Sequence, residues 1–281
     1  MPALRMPPTV TSKFAVLGSP ISHSKSPALH RAAISALGID ATYVSTEVTE
    51  TDFPGVFGSL DDSWAGLSLT MPLKNVVRPL LVQECATSTQ TGAVNTVVRG
   101  ADGWEGYNTD VWGATSAIRH QSDMEFRRAV LLGAGATASS LVVALRDLGV
   151  ESLVIVARDP SRAGKVRDLA QRLGMDVHIA SFGQPLSTSD IVVSSLPSNA
   201  VLPSEAIECI VAELLFDVVY EPWPTALAKE WERRGLESIS GMHMLLWQAV
   251  RQARVFYGES VDKPLPREEQ VVAAMRTAVG L

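Results

Sequence analysis

Residues 129–148, AVLLGAGATASSLVVALRDL, form an apolar run that ends in Gly133-Ala134-Gly135 and passes directly into a segment of helical character. A strand, a tight glycine turn and a helix read this way, and the chemistry they offer is phosphate binding. Gly133 permits the sharp turn, and Gly135 lets a phosphate approach the backbone. The segment opening with Ala136 and Thr137 supplies free N–H groups and the positive end of a helix dipole. The third fingerprint position is Ala138 rather than glycine, and a small side chain suffices there for helix to pack on strand. An ordinary strand-to-helix turn looks similar, so context matters. Residues 152–158 (SLVIVAR) are a second apolar run and residues 161–173 a second helical stretch, which completes a strand–helix–strand unit.

Three further groups could do chemistry. The turn after residues 14–18 (FAVLG) crowds hydroxyls and an imidazole, Ser19, Ser22, His23, Ser24 and Ser26, before Pro27. It reads either as a capped turn, with Ser26 at the N-cap and Pro27 opening a helix, or as a site for an anion or carboxylate. Lys74 stands just past the apolar run 64–70. It is either a solvated surface lysine or a ligand-facing one, because open α/β sheets bind ligands at the carboxyl ends of their strands. Asp110 closes Gly106-Tyr107-Asn108-Thr109-Asp110 and by itself reads as a helix cap.

The elements that must position these groups alternate along the chain. Strands are expected at 14–18, 43–48, 64–70, 93–99 (carrying Asn95 and Thr96), 129–133, 152–158, 190–196 and 214–220. Helices are expected at 28–37, 52–60, from Asn75, 110–118, 161–173, 203–210, 225–234, 242–257 and 266–279. This alternation implies an α/β protein with mainly parallel sheet. The length of 281 residues fits two medium domains. The expected layout is a discontinuous first domain, 1–107 plus 241–281, around a nucleotide domain, 108–240.

Composition narrows the function. At 46% hydrophobic and 19% charged, the chain has material for a real core. A net charge of −6 argues against a general nucleic-acid surface and for a small-molecule role. Cys85 and Cys209 lack motif spacing and read as reduced thiols of a cytoplasmic protein, with no metal site. The opening MPALRMPPTVTSK has no apolar core of a signal peptide and is expected to be a disordered lead-in; no apolar run reaches a membrane span.

Seven motifs in order carry a resemblance to the shikimate dehydrogenase family: GSPISHSKSPALH at 18–30, LTMPLK at 69–74, GAVNT at 92–96, GYNTD at 106–110, GAGATA at 133–138, DVVYEPWPTAL at 217–227 and GMHMLLWQA at 241–249. The resemblance implies two α/β domains, a substrate domain and a Rossmann-like nucleotide-binding domain. It implies reversible reduction of 3-dehydroshikimate to shikimate with NADPH, on the chorismate route to aromatic amino acids, and a homodimer, for which no residue pattern marks an interface. By the same resemblance, Lys74 and Asp110 are the catalytic pair and Ser24 and Ser26 hold the substrate carboxylate. Thr70, Asn95 and Gln248 bind the ring hydroxyls and carbonyl, and Tyr220 lies near substrate and nicotinamide. Gly133, Ala134, Gly135, Ala136, Thr137, Ala138 and Gly241 would contact the cofactor. The chemistry agrees: hydride delivery to a ketone builds negative charge on oxygen, so a cationic proton donor must stand beside it.

The chain departs from the family pattern at Ala136, at Leu69, at His243 and, most consequentially, at Ala157-Arg158-Asp159-Pro160-Ser161-Arg162. The two arginines there favour a 2′-phosphate and hence NADP. Asp159 either bonds a ribose hydroxyl, which favours NAD, or caps the helix beginning at Pro160, the reading preferred here. Two alternatives follow. One is an NAD-dependent quinate/shikimate dehydrogenase. The other is a non-catalytic nucleotide-binding module, which predicts loss of the lysine or the aspartate; both are present.

Overall fold

The computed structural model describes residues 11–281, so most of the lead-in lies outside the described residues. The described chain divides into two units. One runs up to Thr109 and resumes with Leu245–Leu281; the other is Asp110–Met244. Asn108 and Thr109 go with the first unit, not the second, because their side chains are tied there. Asn108 Nδ2 donates to Thr91 Oγ1 (2.9 Å) and the Ala93 carbonyl (3.0 Å), and the Thr109 N–H donates to Asn95 Oδ1 (2.9 Å).

The first unit opens with β1 (Ser12–Gly18), α1 (Ser26–Leu37), β2 (Ala41–Glu47), α2 (Phe53–Gly58) and β3 (Trp64–Leu69). It continues with β4 (Gln83–Glu84), α3 (Ala86–Thr91), β5 (Thr96–Arg99) and β6 (Trp104–Tyr107). Its six strands lie in the order β2-β1-β3-β5-β6-β4. β1 is apolar and buried almost throughout, as a strand covered on both faces must be, whereas the edge strand β2 buries only Tyr43 of its interior. The sheet is less uniformly parallel than the alternation suggested: β5 runs antiparallel to both neighbours, with Ser68 opposite Thr96 and Thr96 opposite Tyr107. β5 is also shorter than the expected 93–99, and Asn95 sits just ahead of it. No helix starts at Asn75; residues 71–77 form successive turns and Arg78–Leu80 a single 3₁₀ turn.

The second unit contains α4 (Asp110–Arg119), β7 (Arg128–Leu132), α5 (Ala136–Asp147), β8 (Ser152–Val156), α6 (Gly164–Arg172) and β9 (Asp176–Ala180). β10 (Ser189–Ser194), α7 (Ser204–Glu208), β11 (Ala212–Asp217), α8 (Ala226–Arg233) and β12 (Glu237–Ser240) follow. All pairings are parallel, in the order β12-β11-β10-β7-β8-β9. Counted within the unit this is the doubly wound order of dinucleotide-binding sheets, whose switch point falls between β7 and β10. The strands β9 and β12, short and polar at every other position, escaped the apolar-run reading. α9 (Gly241–Tyr257) starts in the second unit and passes into the first at Leu245, four residues beyond the expected 241, because the helix runs unbroken across the division; in the first unit α10 (Glu268–Val279) packs on α1.

The first unit's core holds a buried imidazole. His30 of α1 is fully buried, stacked on Tyr43 (4.2 Å between centroids, 3° between planes), with Nδ1 3.2 Å from Tyr257 Oη and Nε2 3.1 Å from Gln252 Oε1. Burial holds its pKa down, to about 4 from 6.5. Because the unfolded chain binds the proton more readily, His30 is neutral in both states above pH 6.5. Stability is therefore intact there and falls as pH drops toward 4. The expected loss is about 3 kcal/mol, at 1.36 kcal/mol per pH unit. Urea unfolding of wild type and His30→Gln at pH 7 and pH 4 checks this: the wild type should lose about that much more than the variant. Parallel losses would show that His30 does not hold its neutral form against a proton.

Candidate active site

In the first unit, backbone hydrogen bonds gather four loops at one end of the sheet. Thr70 N–H donates to the Leu17 carbonyl (3.0 Å) and Ser19 N–H to the Met71 carbonyl (3.0 Å), so the turns after β1 and β3 lie side by side. Leu69 N–H donates to the Asn95 carbonyl (2.7 Å), which adds the start of the reversed strand β5. Asn95 N–H donates to the Tyr107 carbonyl (3.1 Å), which adds the end of β6. Ser24, Ser26, Thr70, Lys74 and Asn95 therefore come from neighbouring loops. Ser26 does not occupy the expected N-cap position, which Lys25 takes. The helix starts at Ser26, one residue early, and the Ser24 hydroxyl accepts from the Ser26 N–H (3.3 Å). Lys74 is half-buried in the turn after β3, which Leu73 and Val77 anchor in the core; its carbonyl accepts from Val94 N–H (2.9 Å).

Asn95 is the most tightly held of these side chains, at 2% exposure. Its Oδ1 accepts from Thr109 N–H, and its Nδ2 donates to Thr109 Oγ1 (2.9 Å) and faces Gln248 Oε1 at 3.5 Å. Gln248, on α9, donates from Nε2 to the Leu245 carbonyl (2.8 Å). The structure thus brings Asn95 and Gln248 together. Thr109, which holds Asn95 from two sides, was legible only as a letter inside the GYNTD motif.

The second unit collects the remaining predicted residues at the switch point of its sheet. Gly133 follows β7 with φ +98°, a conformation that side chains resist, and its N–H donates to the Val156 carbonyl (2.9 Å) at the end of β8. A Cβ there would stand 2.6 Å from Ser195 Oγ, just past β10. Ala134 leads from it into the exposed Gly135, which caps α5 without a side-chain bond; a Cβ on Gly135 would meet nothing within 4 Å. Ala136 and Thr137 form the first turn, and Ala138 is fully buried against the sheet, as its smallness suggests. An open approach to unclaimed helix N–H groups at the switch point fits a pyrophosphate.

Past β8, Arg158, Asp159 and Arg162 are all exposed. Asp159 caps the 3₁₀ turn Pro160–Ala163: its Oδ1 accepts from Ser161 N–H (3.1 Å) and Ser161 Oγ (2.6 Å), and Oδ2 lies 3.6 Å from Arg162 Nε. The Ser161 hydrogen bonds are the main cause of its lowered pKa. This is the capping alternative, so the expected helix over 161–173 begins as a 3₁₀ turn and becomes α6 only at Gly164.

Asp110 opens α4 and is 5% exposed. Tyr220 lies in the loop after β11, whose ends Asp217 holds. The buried Asp217 carboxylate accepts from Val219 N–H (3.2 Å) and Thr225 Oγ1 (2.8 Å), and burial raises its pKa. Gly241, the first residue of α9, packs against the same loop: its N–H donates to the Val219 carbonyl (3.2 Å), and a Cβ on it would overlap the Val218 carbonyl. Asp217 carried no site expectation; its signal was an acid ending an apolar run. His243 is half-buried in the first turns of α9, as a partly exposed helical residue would be.

A doubly wound dinucleotide-type sheet, combined in one chain with a second α/β unit whose strand ends gather hydroxyls, amides and a lysine, defines a two-unit α/β dehydrogenase. Comparison with known proteins makes this specific. Residues 16–97 match the family model of the shikimate dehydrogenase substrate binding domain, and residues 115–219 that of shikimate / quinate 5-dehydrogenase. Shikimate dehydrogenase (NADP(+)) of Synechocystis sp. is 30% identical over 279 residues, covering 93% of this chain and 96% of that protein. Among solved structures, Mycobacterium tuberculosis shikimate dehydrogenase matches with TM-score 0.82 and 33% identity, over 95% of this chain and 99% of that one. Thermus thermophilus shikimate 5-dehydrogenase in complex with NADP(H) and shikimate matches with TM-score 0.80 and 29% identity, over 95% and 99%. The chain belongs to the shikimate dehydrogenase family.

The packing of Gly241 generates a prediction. Gly241→Ala should destabilise the protein by about 2 kcal/mol, the usual cost of forcing extra volume into a packed site. Equilibrium unfolding measures it, and an unchanged midpoint would show that the Val218–Thr225 loop yields freely.

Proposed function

We propose that this chain catalyses the reversible, NADPH-dependent reduction of 3-dehydroshikimate to shikimate, on the chorismate route to aromatic amino acids. The observation that carries the reading is the convergence of Ser24, Ser26, Thr70, Lys74, Asn95 and Gln248 on the strand ends of the first unit. A cyclic polyhydroxy acid needs such a set. Ser24 and Ser26 take the carboxylate, and Thr70, Asn95 and Gln248 take the ring oxygens. Each hydroxyl so bonded excludes analogues lacking it, because a buried polar partner would be left empty.

Lys74 is the proton donor to the substrate carbonyl oxygen during reduction, and its ammonium stabilises the charge that builds there. Asp110 orients that ammonium and accepts from a substrate hydroxyl. When bound, NADPH supplies the hydride. The first turn of α5, from Gly133 to Ala138, would hold its pyrophosphate, and Arg158 and Arg162 its 2′-phosphate. Tyr220 and Gly241 would border the nicotinamide. Asp159 is engaged by Ser161 and Arg162, which supports NADP over NAD and removes the main argument for an NAD-dependent quinate/shikimate enzyme. A homodimer and a cytoplasmic location belong to this reading. They rest on the family resemblance and on Cys85 and Cys209 being free thiols. Among the described residues, no helix is long and apolar enough to cross a membrane.

Two measurements test the proposal. Lys74→Ala should lower kcat for shikimate oxidation by about 10³-fold, in the range of a lost general acid–base group, with NADPH affinity within twofold by fluorescence titration. Retained turnover would remove Lys74 from the chemistry. In steady-state kinetics kcat/KM with NADP+ should exceed that with NAD+ by at least about tenfold, and Arg158→Ala should erase much of that margin, as loss of a charge-assisted phosphate contact would. A preference for NAD+ in the wild type would overturn the cofactor assignment.

A further inference from the structure

A continuous set of hydrogen bonds runs through the core of the first unit from His30 to Asn95, and two backbone groups dictate its polarity. The Thr109 N–H can only donate, so the Asn95 atom 2.9 Å away is Oδ1. The Asn95 carbonyl can only accept, so the Gln252 atom 3.2 Å from it is Nε2. The rest follows. Gln252 Nε2 also donates to Thr96 Oγ1 (3.0 Å), which in turn donates to Asn95 Oδ1 (2.8 Å). Gln252 Oε1 is then an acceptor, and it receives Ser68 Oγ (2.9 Å) and His30 Nε2 (3.1 Å). Ser68 Oγ accepts from Tyr43 Oη (2.7 Å). His30 must carry its proton on Nε2, and its bare Nδ1 accepts from Tyr257 Oη (3.2 Å). Each of these donors has an acceptor within the set. His30, Ser68, Asn95, Thr96, Gln252 and the Tyr257 ring are all buried.

We infer that Gln252 is a positioning residue for Asn95: by gripping the Asn95 carbonyl directly and its side chain through Thr96, it makes Asn95 present an N–H donor, not its carbonyl oxygen, toward Gln248. His30, in the neutral Nε2–H form, is the donor that keeps Gln252 turned this way. The inference deepens the proposed function and rests on Asn95 belonging to the substrate site. An amide free to rotate would offer the wrong atom for part of the time. It would also leave Thr109 N–H facing an NH₂ group, a costly arrangement for buried groups.

The test uses Gln252→Met, which fills similar volume without hydrogen bonding, and Gln252→Glu, which can accept from His30 and Ser68 but as a carboxylate cannot donate to Thr96 or Asn95. Both should raise KM for shikimate about tenfold, the scale of one lost buried hydrogen bond, and leave KM for NADP+ within twofold. His30→Leu should behave likewise, whereas His30→Gln, whose Nε2–H can replace the imidazole donor, should recover most of the affinity. Shikimate KM within twofold of wild type in folded Gln252→Met, or His30→Gln no better than His30→Leu, would overturn the inference. Should Gln252→Met not fold, ¹⁵N NMR of the wild-type protein still decides. The expected result is an Nε2–H His30 and a single, slowly exchanging pair of Asn95 side-chain amide protons. An Nδ1–H tautomer or a rapidly exchanging amide sinks the idea. This NMR readout needs no turnover, so wild type that ignores shikimate would refute the proposed function while leaving the network open to the NMR test.

Discussion

The grip on Asn95 is the constraint around which the first unit is arranged. Its carbonyl accepts from Leu69 N–H and its own N–H donates to the Tyr107 carbonyl, while its side chain is caught by Thr109 and Thr96. Those bonds tie together the ends of β3 and β6 and the start of β5. The turn that carries Lys74 begins at Thr70, which is itself bonded back to Leu17 at the end of β1. Loosening one buried asparagine would therefore disturb three loops at once. A side chain that is 2% exposed among donors and acceptors is costly to misalign, because the low-dielectric interior punishes every unmatched polar group.

The second unit reaches precision by another means. Its strands are all parallel and its glycine turn lies where the strand order reverses, so backbone N–H groups rather than side chains are presented there. Side chains there act as fasteners. Asp217 clamps both ends of the Val218–Thr225 loop, and Asp159 caps the turn beyond β8. The Asp159 charge is itself engaged by Ser161 and Arg162.

Much of this was legible in the residues alone. Central strands announce themselves because burial on both faces demands unbroken apolar runs, as in β1, β7 and β10. Short edge strands such as β9 and β12 do not, since polar residues interrupt them and few of their side chains are fully buried. The reversal of β5 was hidden because direction leaves no periodic mark; only the four-residue connection between the end of β5 and the start of β6 hints at a hairpin. Of the candidate site, motif positions such as Gly133, Lys74 and Asn95 stood out by type and place. The residues that support them did not. His30, Ser68, Gln252 and Thr109 are distant in sequence and ordinary in type, and their significance lies in who can donate to whom, which only coordinates reveal. Ser26 misled by one position because serine and proline suit either of two adjacent helix starts.

The reversed strand has a further consequence. Since β5 enters at the rim that carries Lys74 and Asn95 and β6 returns to it, the connection between them, Gly100-Ala101-Asp102-Gly103, is exiled to the opposite end of these strands. That hairpin tip is the one connection between these two strands that can lengthen, shorten or accept a foreign peptide without touching the rim. Length variation among related sequences, and a place to splice in a reporter, should both concentrate there.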